Sequence, residues 1–159
     1  MIAPRSILII ASCLISLCAS WEIDTNESTK SPLPVTIGEP FSLQCTVKGA
    51  FSEKNDWKVC TWSRDNDDAG CIFTYQYNQN AQKFIVDQNC TGSMSDAVFS
   101  GSEDIQSKNV VCGMEFKEAD EDDIAGWTCE IEQCKRSTHC DTVSGIKDHA
   151  TIKIKVTYS

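Results

Sequence analysis

The stretch Asp122-Asp123-Ile124-Ala125-Gly126-Trp127-Thr128-Cys129 decides how this chain folds. A carboxylate-rich turn runs into Gly126. An aromatic and a cysteine follow, two residues apart. Side chains alternate faces along a strand, so Trp127 and Cys129 point the same way, into a core. Ile131 continues that face, and Thr128, Glu130 and Glu132 form the polar one.

The same period of two recurs on either side. Phe41, Leu43, Cys45 and Val47 alternate with Ser42, Gln44 and Thr46. Val110, Cys112, Met114 and Phe116 form a second apolar face, and Ala150, Ile152, Ile154 and Val156 a third. Segments that alternate in this way are half-buried strands, and no segment shows a helical period. The pattern predicts strands near 33–37, 40–47, 58–64, 72–77, 83–86, 96–99, 109–117, 126–133 and 149–157. Short, regularly spaced strands imply an all-β sandwich or barrel in one domain.

Residues 1–20 read as a secretory signal peptide. Arg5 supplies the positive start, Ile7 to Leu17 the apolar run, and Cys18-Ala19-Ser20 the small residues for cleavage before Trp21. Polar residues 21–32, ending at Pro32, are expected to form a flexible leader, which leaves 33–159 as the domain. Removing the signal takes Cys13 and Cys18 with it and reduces ten cysteines to eight. An even count in a secreted chain implies a disulfide framework. Their spacings offer no zinc-ribbon or thioredoxin-like motif. The formal charge of −9 makes nucleic acid and anionic lipid poor partners. Asn26-Glu27-Ser28 and Asn89-Cys90-Thr91 are glycosylation sequons at Asn26 and Asn89. After residue 20 no apolar run is long enough to span a bilayer.

Cys45 on one strand, Trp62 on the next, and Cys129 behind Trp127 resemble the Cys…Trp…Cys order of V-set immunoglobulin domains. Phe99-Ser100-Gly101 resembles the fourth-strand signature of the same domains. The likeness covers roughly residues 33–158. Cys60-Thr61-Trp62, with Cys71, Cys90 and Cys112, is similar to secreted single-domain immunoglobulin-like proteins of invertebrates, especially arthropods. The resemblance implies a V-type, two-sheet Greek-key sandwich with extra disulfides and Trp62 and Trp127 in its core. Two departures stand out. Trp127 replaces the usual corner tyrosine, and its N–H can donate but not accept. Val98 replaces the usual arginine partner of Asp123, and Arg64 and Arg136 are the only arginines after residue 20.

In that topology Cys45–Cys129 would join the sheets beside Trp62. Cys60–Cys112 would form a second inter-sheet bridge, Cys71–Cys90 would tie two neighbouring strands, and Cys134–Cys140 would close the last hairpin. The other reading pairs Cys60 with Cys71 and Cys90 with Cys112.

Residues 118–123 hold five carboxylates. They read as a solvated turn, since the spacing lacks the glycine and distant glutamate of an EF-hand calcium loop. No catalytic frame is present, no cofactor or metal is expected, and the chain is read as a non-enzyme. Phe73, Tyr75 and Tyr77 share a face assigned to the core. Trp57 falls on the opposite face to Cys60 and Trp62, which makes it the anchor candidate for a binding surface. The loop Cys134 to Cys140, with Lys135, Arg136 and His139, is the only locally basic stretch. These features lead to the expectation of a secreted recognition protein, monomeric or weakly dimeric, that binds an extracellular protein or glycan. The alternative is a soluble effector or protease inhibitor that presents the Cys134–Cys140 loop.

Overall fold

The computed structural model describes residues 21–50, 57–65, 68–78, 83–104, 106–134 and 146–159. They form two sheets around one apolar core, with no α-helix among them. One sheet contains β1 (Glu22–Ile23), β3 (Phe41–Lys48), β9 (Asn109–Phe116) and β7 (Val98–Phe99), in that order. β8 (Ser102–Asp104) also pairs with β9. The other sheet runs β2 (Leu33–Val35), β11 (Ile146–Tyr158), β10 (Gly126–Cys134), β4 (Trp57–Arg64), β5 (Gly70–Asn78) and β6 (Lys83–Cys90). All pairings between strands are antiparallel except β2 with β11.

The alternation read from the sequence sets which faces meet. Leu43, Cys45 and Val47 from β3 and Val110, Cys112 and Met114 from β9 are buried against Cys60 and Trp62 from β4 and Trp127, Cys129 and Ile131 from β10. Phe73 and Tyr75 are fully buried, and both rings pack on Phe99, at centroid distances of 5.0 and 5.1 Å. That contact needs the chain after Phe99 to cross β9 closely. A Cβ on Gly113 would come within 2.8 Å of the Ser100 carbonyl oxygen, so only glycine fits there.

Two bridges are present among the described residues. Cys60–Cys112 joins the sheets through the core, and Cys71–Cys90 ties β5 to β6 as directly opposed residues. The pairing of Cys60 with Cys71 and Cys90 with Cys112 is therefore excluded. The expected Cys45–Cys129 bridge is not formed, and both residues are buried thiols. Cys45 lies directly opposite Cys112 on the neighbouring strand. The sulfurs of Cys60, Cys112 and Cys129 all lie within 4.8 Å of one another, so the two thiols sit beside the Cys60–Cys112 bridge. Burial first, and then the hydrogen bond to Cys45, push the Cys129 thiol well above its usual range.

Residues 21–32 were expected to form a flexible leader, and the structure corrects this. Trp21 and Ile23 pack against the core. Ile23 pairs with Val47, and the Asp24 and Thr29 amides donate to the carbonyls of Thr46 and Gln44. The Ser28 hydroxyl donates to the Asp24 carbonyl at 2.7 Å and accepts from the Thr46 amide at 3.0 Å. Thr46 sits on an edge, so its backbone needs partners, and this segment supplies them.

Candidate recognition surface

The corner that opened the sequence is closed by three interactions. Trp127 Nε1–H donates to the Asp123 carbonyl at 3.0 Å, which ties the indole to the turn. Asp120 and Asp123 cap a short 3₁₀ turn, Glu121–Asp123, reciprocally. The Asp120 carboxylate accepts from the amides of Asp122 and Asp123, and the Asp123 carboxylate accepts from the Asp120 amide. The third group is Arg64, at the end of β4. Its guanidinium lies 3.5 Å from the Asp123 carboxylate and 5.8 Å from the centre of the Trp127 ring. Arg64, from the strand next to β10, is thus the cation beside Asp123. A Cβ on Gly126 would meet the Asp65 carboxylate at 2.2 Å, and that exposed side chain would have to swing aside.

Burial is the main reason Asp123 holds its proton above the usual carboxylate range. The Asp120 backbone bond and Arg64 oppose the shift, and the charges of Asp120 and Asp122 add to it. The folded state keeps this proton where the unfolded chain has released it. The group's contribution to stability is therefore greatest below the unfolded pKa and declines as pH rises through the folded one. The Asp123 carboxyl resonance is expected to titrate with a midpoint above the unperturbed value of about 4. A midpoint at or below that value contradicts this account.

A second buried pair was not anticipated. Lys58 and Glu103 meet at 2.5 Å with side chains only 2% and 1% exposed. Strand parity carried the signal, because Lys58 shares its face with Cys60 and Trp62. Glu103 reaches it from β8, a strand absent from the sequence reading. Tyr75 lies opposite Lys58 on β5. Burial first, and then the Glu103 charge, raise its hydroxyl well above the usual range.

The three core sulfurs include two that are bonded to each other, and metals bind thiolates. As folded, the cluster is a packing element. An open depression of about 410 Å³ lies on the outer side of the first sheet, lined by Asp24, Glu27, Gln44, Thr46, Ser107, Asn109 and Val111.

The outward face of the six-stranded sheet has a different character. Across its strands run Trp57, Val59 and Thr61 on β4, Ile72, Thr74 and Gln76 on β5, and Ile85, Asp87 and Asn89 on β6. Ile72 and Ile85 are 44% and 41% exposed. Trp57 is half-buried at the start of β4 rather than displayed, and Val59 beside it is nearly covered. On the neighbouring strands Glu130 is opposite Thr151, and Lys153 is opposite Thr128. Asn26 and Asn89 are both exposed. Lys135, Arg136, His139 and Cys140 lie outside the described residues, as does the test of a Cys134–Cys140 bridge. Tyr77 is on β5, and its side chain is also outside them. No family model matches the chain, and no curated protein matches it.

Proposed function

We propose that the chain is a secreted V-type immunoglobulin-like domain that recognises an extracellular protein or glycan through the outward face of its six-stranded sheet. The order of strands supports the fold reading. β5 and β6 extend the sheet beyond β4, as the two additional strands of variable-type domains do. The two bridges suit an oxidising compartment.

The exposure of Ile72 and Ile85 carries the functional reading. Outward positions of a one-sided sheet are normally polar. Ile85 lies opposite Gln76, toward the start of β4 where Trp57 sits, and Ile72 lies further along the face between Thr61 and Asn89. The two isoleucines and the half-buried tryptophan are thus separate apolar anchors of the kind an interface uses. Recognition here is surface complementarity: these anchors are dehydrated, and Asp87 between them and Glu130 beside Thr61 select the partner's charge. Trp57→Ala is expected to weaken partner binding at least tenfold, as measured by surface plasmon resonance. Unchanged affinity would remove Trp57 from the site. If the 134–140 loop were a protease bait instead, Lys135→Ala with Arg136→Ala would abolish inhibition and Trp57→Ala would leave it intact.

A further inference from the structure

The open edge of the six-stranded sheet carries an inference beyond its face. β6 is eight residues long and, among the described residues, pairs only with β5. Its directly opposed cysteines, Cys90 and Cys71, have Cα atoms 4.1 Å apart. That spacing marks a non-hydrogen-bonded pair. The next residue, Thr91, returns its amide to the Gly70 carbonyl at 2.8 Å. The odd-numbered residues of β6 therefore bond back to β5. The backbone N–H and C=O groups of Phe84, Val86, Gln88 and Cys90 face the open side. Residues 85–89 are all exposed, including Ile85 and Val86 on opposite faces. A long edge of this kind is a template for another strand.

One register suits a second copy of the same chain. An antiparallel pair of β6 strands must set even-numbered residues opposite even-numbered ones for the free groups to meet. Centring the two-fold axis on Ile85 does so, with Phe84 opposite Val86. It also places Lys83 opposite Asp87 twice, and these are the only charged residues of β6. Asn89 stands exposed near the end of this edge, with Thr91 two residues on. Asn89 shares the outward face with Ile85 and Asp87, one step beyond the Lys83–Asp87 span, so a glycan there would overhang the edge beside which the second copy must lie.

We infer that the Asn89 glycan holds a self-pairing edge shut, and that the chain without it dimerises through antiparallel β6–β6 pairing. This rests on the reading of the chain as secreted. Glycan transfer forms a bond from Asn89 Nδ2 to the anomeric carbon of an oligosaccharide. It breaks that carbon's bond to the diphosphate of a polyisoprenoid donor, and the amide proton leaves with the lipid diphosphate. Thr91 Oγ1 is bonded within the turn to the Asp68 carbonyl and the Gly70 amide, so the sequon is best removed at Asn89.

The experiment is light scattering on the protein secreted from glycosylating cells, with circular dichroism to confirm folding. The glycosylated wild type is expected to be a monomer, and Asn89→Gln to show twice the polypeptide mass at micromolar concentration. Adding Ile85→Lys, which sets two lysines face to face, should restore the monomer. Adding Lys83→Asp should do the same, and Lys83→Asp with Asp87→Lys should recover the dimer. If Asn89→Gln does not fold, endoglycosidase trimming of the folded glycoprotein should produce the dimer. A monomeric, folded Asn89→Gln protein overturns the inference. So does a dimer indifferent to Ile85→Lys, or an unmodified Asn89 beside a glycosylated Asn26. A chain that bears no glycan at either site and retains residues 1–20 would instead overturn the secretion reading.

Discussion

Lys58→Ala is expected to destabilise the folded protein by about 3–5 kcal/mol in chemical denaturation, because it leaves the Glu103 carboxylate buried without its partner. Glu103→Ala should cost a similar amount by stranding the ammonium group. The double replacement Lys58→Met with Glu103→Leu is expected to behave differently. It removes both charges and fills the space with apolar atoms, so its stability should match or exceed that of the wild type. The contrast is the diagnostic result. An ion pair that contributed net stability would leave the double variant less stable than the wild type. An exposed pair would make all three changes small. The pair also fastens β8 to the opposite sheet, so the single variants should lose amide protection along Ser102–Asp104 before the core opens.

Loss of the Cys60–Cys112 bridge is the second large effect. Its 52-residue separation corresponds to about 4 kcal/mol of loop-closure entropy in the unfolded chain. The 19-residue separation of Cys71–Cys90 corresponds to about 3 kcal/mol. Replacing Cys60 and Cys112 by alanine is therefore expected to cost more than replacing Cys71 and Cys90. The difference should grow further because the first pair is wholly buried and its removal leaves a cavity. Midpoints of thermal or guanidinium unfolding in the two double variants give the comparison. The reverse order would show that the link between the sheets matters less than the stitch at the β6 edge.

The fold was largely legible because a one-sided sheet writes its burial into the sequence as alternation. Trp127, Cys129 and Ile131 fixed one inward face, and Cys60, Trp62, Phe73 and Tyr75 followed by the same parity. The Cys60–Cys112 and Cys71–Cys90 pairings followed from where those faces placed each sulfur. The features that were not legible are those that depend on the third dimension. Lys58 lies on an inward face, but its partner comes from a three-residue strand too short to show a period. Residues 21–32 look like a polar tail, because beyond Trp21 and Ile23 their order comes from hydrogen bonds to β3 and not from apolar side chains. Arg64 is remote in sequence from Asp123 and meets it only because β4 and β10 are neighbours. Spacing along the chain also does not reveal that Cys45 and Cys129 are unbonded thiols beside the Cys60–Cys112 bridge.

Recognition through the outward sheet face can be tested against an internal control. Ile72 and Val98 are both exposed aliphatic residues, 44% and 52% accessible, on opposite sheets of the same protein. A glutamate at either site adds the same charge and leaves the core untouched. The direct measurement is quantitative binding of the labelled, secreted protein to extracellular proteins and cell surfaces of its own organism, with wild type, Ile72→Glu and Val98→Glu compared side by side. The account predicts that Ile72→Glu lowers affinity at least tenfold while Val98→Glu binds as the wild type does. Equal binding by wild type and Ile72→Glu, or a loss confined to Val98→Glu, would contradict it.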